Sequence, residues 1–103
     1  MREIQTDEFE AATAKGVCLI DFHATWCGPC RAIAPTVQKL ADAHEGRALI
    51  AKVDIDAEPK LAARFGIRGV PTFVALRDGE TIGTVTGADP KRIAELLERA
   101  LNA

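Results

Sequence analysis

Residues 17–30 read VCLIDFHATWCGPC, and this stretch decides the fold. Its first six residues, 17–22, form an apolar run of strand length holding a single charge, Asp21. Such a run suits a strand buried on both faces, in a sheet with helices on either side. The following Trp26-Cys27-Gly28-Pro29-Cys30 opens a helix whose apolar positions Ile33, Val37, Leu40 and Ala41 recur at helical spacing. Two cysteines at i and i+3 on a first turn face the same side. Their sulfurs can close a small disulfide or stand as an adjacent dithiol. Cys27, at the helix start, meets unpaired N–H donors and the positive end of the macrodipole, which favour its thiolate. Cys30 lies one turn further in and is expected to be the more shielded. The roles follow: Cys27 attacks a disulfide, and Cys30 resolves the mixed disulfide. Gly28 keeps the approach open. Pro29 fixes φ near the helix start without losing a needed hydrogen bond.

Working outward, residues 48–55 (ALIAKVDI) and 72–76 (TFVAL) are similar strand-length runs. Residues 81–86 (TIGTVT) are β-branched and follow Asp78-Gly79, a two-residue hairpin signal that makes the last two strands antiparallel. Between the strands lie helical patterns. Ile93, Leu96, Leu97, Ala100 and Leu101 form a stripe, with Asp89 placed as N-cap and Pro90 as first residue. A short helix is predicted over 59–65, closed by Gly66. A weaker one is predicted over 7–15, with Thr6 as cap and Gly16 as terminator. Gly46 is the expected stop of the helix that carries the cysteines, and Pro35 should kink that helix. A short strand near Ile4 begins the order. This alternation predicts an α/β layered architecture. With no repeats, low-complexity tracts or polar linkers, one domain is expected over 1–103.

The 103 residues are 48% hydrophobic and 27% charged, with a formal net charge of −2, an ordinary globular balance. That charge offers no electrostatic footprint for nucleic acid or anionic lipid. No window approaches the ~18 consecutive apolar residues of a membrane span. The opening MREIQTDEFE carries no apolar stretch of signal-peptide length, so a cytoplasmic location is expected. The cysteine count is three, an odd number that argues against a disulfide-stapled scaffold. A structural zinc site is the rival explanation of the CxxC pair. Zinc wants four ligands, and what remains is Cys18, His23 and His44. Cys18 sits inside an apolar strand and His44 several helical turns beyond Cys27. Redox chemistry with no metal is the better expectation.

The WCGPC motif, the preceding DFHAT, Gly69-Val70-Pro71-Thr72 and Val85-Thr86-Gly87-Ala88 together resemble the thioredoxin family over essentially the whole chain. The resemblance implies the thioredoxin fold, a central five-stranded mixed sheet flanked by four helices. It implies reduction of protein disulfides, with no bound cofactor and with electrons supplied from NADPH through thioredoxin reductase. The implied partners are that reductase and disulfide-containing substrate proteins, and a monomer is expected.

The supporting residues divide on the same basis. Asp21 could lie at a solvated strand end, but in thioredoxins the matching aspartate is buried beneath the disulfide with a raised pKa. There it helps deprotonate the resolving cysteine, because desolvation disfavours the charged form. Lys52 matches a family lysine near that aspartate, yet a strand lysine between Ala51 and Val53 suits an ordinary surface place equally. Thioredoxins hold the proline matching Pro71 cis, which would leave the Val70 backbone free to pair with an extended substrate. Gly87 would let that chain approach closely, with a turn glycine as the alternative. Trp26, the only tryptophan, is expected in the docking surface rather than the core. Arg31 stands where the family usually has lysine. His23 stands where thioredoxins commonly carry a second tryptophan; a plain surface histidine is expected, with weak coupling to Cys27 as the alternative. Cys18 is expected to be buried and inert.

Two rival functions remain. A disulfide oxidase or isomerase would use the same cysteines, but Gly-Pro between them resembles reductases, whereas oxidising relatives usually place a histidine there. A binding module or chaperone subunit would work without the cysteines, and a Cys27→Ser, Cys30→Ser double variant would retain its function.

Overall fold

The side chains of one strand, alternating across a pleated sheet, generate two cores. In the computed structural model, which describes residues 1–103, that strand is β2 (Val17–His23). Val17 and Leu19 point to one side, and Cys18, Ile20 and Phe22 to the other. The first side packs on Ile33 and Val37 of α2 (Gly28–Ala43) and on Ile93, Leu96 and Leu97 of α4 (Pro90–Leu101). The second packs on Phe9 of α1 (Phe9–Thr13) and Leu61 of α3 (Pro59–Arg64). Each fully buried aliphatic or aromatic side chain contributes about 1.5–3 kcal/mol. By the same alternation Asp21 faces the α2 side, at the end of β2 nearest the start of α2.

The sheet runs β1-β3-β2-β4-β5, with β1 Arg2–Glu3, β3 Ala48–Asp54, β4 Thr72–Arg77 and β5 Glu80–Thr86. β1 and β2 are parallel to β3, while β4 is antiparallel to both β2 and β5. The expected five-stranded mixed sheet with four helices is therefore present. The hairpin turn is made by Asp78 at φ 51° and Gly79 at φ 84°, the pair of positive angles that a type I′ turn requires. Asp89 caps α4 as expected, its carboxylate accepting from the N–H groups of Lys91 (3.1 Å) and Arg92 (3.3 Å).

Three boundaries differ from expectation. The segment predicted as one helix over 7–15 divides into a 3₁₀ turn, Thr6–Glu8, and the short α1. Thr6 does not cap it. Its N–H and hydroxyl both donate to Glu58 Oε1 (2.8 and 2.9 Å), while Glu8 accepts from the Gln5 N–H. The helix predicted over 59–65 ends one residue early, because Phe65 leaves it to stack on Phe9 and Phe22. The third is α2, which stops at Ala43, before Gly46; His44 caps it, the ring Nδ1–H donating to the Leu40 carbonyl at 2.8 Å. Pro35 lies inside α2, which continues through it.

Candidate active site

The chain leaves β2 at His23, crosses Ala24 and Thr25, and enters α2 through Cys27, the N-cap residue, with extended φ −85° and ψ 111°. That geometry turns the Cys27 sulfur back over the first turn, where it accepts from the Cys30 N–H at 3.1 Å. Arg31 holds the approach, donating to the Thr25 carbonyl at 2.8 Å. Cys27 and Cys30 are joined as a disulfide, their Cα atoms 5.3 Å apart. The expected difference in shielding is absent: Cys27 is 4% exposed and Cys30 6%. One short disulfide confines both sulfurs to a single pocket against Ala24, Ile55 and Val70. Their surroundings differ instead. The Val70 carbonyl oxygen lies 3.7 Å from Cys27 Sγ, whereas Cys30 borders a cavity of about 300 Å³ that it shares with Asp21, His23, Arg31 and Lys52.

Asp21 is 4% exposed, and its Oδ1 has no hydrogen-bond partner. Burial pushes its pKa up from 3.8 to about 6, against the opposing pull of His23 and Lys52 and with a small addition from Glu3. A solvated strand end is thereby excluded. Lys52 is the residue paired with Asp21 across β2 and β3. It satisfies both expectations at once, bordering the Asp21 cavity while its side chain stays 39% exposed, with Nζ 3.7 Å from Glu3 Oε2. His23 borders the same cavity, its Nε2 3.4 Å from Glu3 Oε2. The ring thus adjoins the Cys30 side of the disulfide; Cys27 does not line this cavity. Three larger clefts, of about 410, 630 and 750 Å³, contain none of these residues.

On the Cys27 side, Trp26 is 64% exposed and its indole N–H donates to Asp56 Oδ2 at 2.8 Å. The ring is therefore not core filler: it stands at the surface, pinned by its polar edge. The Val70–Pro71 peptide is cis. Neither the N–H nor the carbonyl of Val70 is paired with another backbone group. Thr72 closes this corner by donating its hydroxyl to the Gly69 carbonyl at 2.6 Å. Gly87 donates its N–H to the Pro71 carbonyl at 2.9 Å with φ 109°, and a Cβ there would meet nothing within 4 Å. Backbone conformation by itself already calls for glycine at this position. A Cβ on Gly28 would likewise meet open space, consistent with an unobstructed approach to the sulfurs.

Two contributors carried no signal in the sequence. Asp56 lies 30 positions from the indole it holds. It is presented by a turn in which Asp54 Oδ1 accepts from the N–H groups of Asp56 (2.9 Å) and Ala57 (3.3 Å). Glu3 reaches His23 and Lys52 only because β1 pairs with β3. Cys18, by contrast, is 1% exposed on the opposite face of the sheet, and burial raises its pKa. In the native reduced protein, iodoacetamide should modify Cys27 and spare Cys18 over the same interval. Peptide mapping reads this out, and comparable labelling of Cys18 would contradict its inert placement.

A disulfide at a helix N-terminus, with a buried carboxyl beneath it and an exposed aromatic beside it, defines a thiol–disulfide oxidoreductase. The thioredoxin family model matches residues 1–99. Thioredoxin of Staphylococcus epidermidis is 40% identical over 100 residues, covering 96% of each chain. That of Staphylococcus aureus is 42% identical over 95 residues, covering 91% of each. The solved thioredoxin of Malassezia sympodialis superposes with a TM-score of 0.91 at 38% identity, covering 97% of this chain and 92% of that one. Fasciola hepatica thioredoxin gives 0.88 at 33% identity, covering 97% and 99%. The chain belongs to the thioredoxin family, and it is a protein-disulfide reductase whose redox-active pair is Cys27–Cys30.

Proposed function

We propose that Cys27 attacks the substrate disulfide, that Cys30 resolves the mixed disulfide, and that Asp21 takes the Cys30 proton. The observation that carries this reading is the buried Asp21 carboxyl on the cavity that Cys30 lines. In the reduced protein the Cys27 thiolate, stabilised by the Cys30 N–H, bonds to one substrate sulfur, and the other leaves as thiolate. Cys30 then gives its proton to the Asp21 carboxylate. The Cys30 thiolate attacks Cys27 Sγ, re-forming Cys27–Cys30, and the second substrate sulfur departs with the bonding pair. Both departing thiolates take protons from water. A carboxyl ionising at about 6 can accept this proton near neutrality and give it up again.

Substrate is held by strand addition on the unpaired Val70 backbone at the Pro71 corner, beside the Trp26 ring, with Gly28 leaving the sulfurs accessible. Lys52 supports Asp21 as its cross-strand counter-charge, Pro29 starts the helix, and Gly87 shapes the Pro71 corner. Trp26→Ala should raise KM for a disulfide-bonded protein about tenfold, consistent with loss of one aromatic anchor. Turnover of a small linear disulfide such as 5,5′-dithiobis(2-nitrobenzoate) should stay unchanged. Equal effects on both would show that Trp26 serves the cysteines rather than docking.

The chain works as one domain over 1–103, a cytoplasmic monomer with no bound cofactor, recycled by thioredoxin reductase with electrons from NADPH. Its partners are that reductase and disulfide-containing proteins, neither nucleic acid nor membrane. No helix is long and apolar enough to cross a membrane. NADPH consumption, with a thioredoxin reductase and a disulfide-bonded protein present, tests this electron route. Consumption should require this chain; failure with several reductases would overturn it. Reduction potential separates the oxidase alternative, since thioredoxins lie near about −270 mV and the strong oxidant DsbA near about −120 mV. Function retained without both cysteines would instead indicate a binding module.

A further inference from the structure

The cavity behind the disulfide holds more proton-carrying groups than the reduction of a disulfide by two cysteines and one carboxylate requires. Asp21 and His23 are two residues apart on β2 and so share a face of the sheet. Both border the same 300 Å³ cavity, and so does Cys30. Each has one enclosed polar atom without a hydrogen-bond partner, Asp21 Oδ1 and His23 Nε2. Buried polar atoms are ordinarily paired, so two unpaired ones on one cavity call for an explanation. His23 keeps 15% of its side chain open to solvent although Nε2 is enclosed, so the side chain reaches from the cavity to the surface. Glu3 Oε2 lies 3.4 Å from Nε2. One water occupies about 30 Å³ in the liquid, so the cavity has room for a hydrogen-bonded link between the carboxyl and the ring.

We propose that His23 is a positioning residue for the resolving step: it takes from Asp21 the proton released by Cys30 and passes it to solvent, with Glu3 stabilising the imidazolium. This rests on the reading of Asp21 as the group that accepts the Cys30 proton. The Cys30 S–H bond breaks with its electron pair left on sulfur, and the proton bonds to the Asp21 carboxylate. It then moves to neutral His23, directly or through water, restoring the carboxylate. Imidazolium releases it to bulk water. Asp21 and His23 end as they began and one proton reaches bulk water, while the negative charge left on Cys30 passes to the departing substrate thiolate as the Cys27–Cys30 bond forms.

The other charged groups around the cavity are compatible with this direction. Lys52 of β3, paired across from Asp21, favours the carboxylate that the transfer restores. Asp54, the cross-strand partner of His23, and Glu3 of β1 are the acidic groups nearest the ring along the sheet. Arg31 of α2 and Met1 also line the cavity. Arg31 is directed to the Thr25 carbonyl.

The relay needs neutral His23, and histidine is the side chain that changes charge between pH 5 and 8. The test is the first-order rate of resolution at saturating small disulfide, followed in wild type, His23→Gln and Asp21→Asn from pH 5.5 to 8.5. His23→Gln should resolve about tenfold more slowly at pH 8. The gap should close as pH falls and wild-type His23 becomes protonated. Imidazole added to His23→Ala should recover part of the lost rate at pH 8. A gap constant with pH, together with no imidazole recovery, would mean a structural role and overturn the proposal. So would a gap that widens toward low pH, which would mark His23 as a fixed counter-charge. If Asp21→Asn is slow and His23→Gln matches wild type throughout, the His23 step alone falls. If Asp21→Asn resolves as fast as wild type, the Asp21 reading falls with it.

Discussion

Cys27→Ser is expected to reduce protein-disulfide turnover by at least about a thousandfold, because Cys27 alone caps α2 and accepts its first-turn N–H, an activation neither remaining thiol has. Cys30 sits within the first turn of α2, and Cys18 is sealed on the far side of the sheet. Cys30→Ser should fail one step later. Attack by Cys27 still occurs, but no thiol follows it, so substrate should accumulate joined to Cys27. Non-reducing mass spectrometry distinguishes the two variants. An adduct on Cys30 in the Cys27→Ser protein, formed as fast as the Cys27 adduct, would reverse the roles assigned to the pair.

Asp21→Asn is expected to stabilise the fold while impairing its chemistry. The Asp21 carboxyl ionises at about 6 in the folded chain, against about 3.9 in an unfolded one. The folded state therefore binds this proton more tightly. Its stabilising effect is complete below about pH 3.9 and is lost as pH rises through about 6. A shift of about two units, at 1.36 kcal/mol per unit, puts the burden of the buried carboxylate near 3 kcal/mol above pH 7. Asparagine carries no such burden. Urea denaturation should show the variant more stable by about 2–3 kcal/mol at pH 8, with the advantage vanishing near pH 3.5. No advantage at pH 8 would mean that Asp21 is hydrated in the folded protein. Stability surrendered at a functional group is a common trade in enzymes.

The architecture was legible where burial and turn chemistry agree with local pattern. The VCLIDF run, the Asp78-Gly79 turn and the Asp89-Pro90 helix start all stand where expected. The N-terminal helix was not, because Thr6 spends its donors on Glu58, a partner 52 positions away. In the site, the CxxC pair was legible because its chemistry is local. The similar burial of both cysteines was not, since it depends on the closed disulfide and on packing against Val70. His23 stands out in the sequence as a departure from the family, but the cavity it borders does not. Strand alternation aims it at the Asp21 cavity, and Glu3 reaches it through β1–β3 pairing, which a two-residue strand scarcely announces.

The central claim, that this chain is a reductase acting through Cys27 and Cys30, is tested most directly by one anaerobic exchange. The reduced protein is mixed with a disulfide-bonded protein, quenched in acid, and both chains are mapped for thiols. The account predicts stoichiometric appearance of substrate thiols and a Cys27–Cys30 disulfide in this chain, with Cys18 still reduced. An intact substrate disulfide beside a folded, fully reduced Cys27 and Cys30 would contradict it.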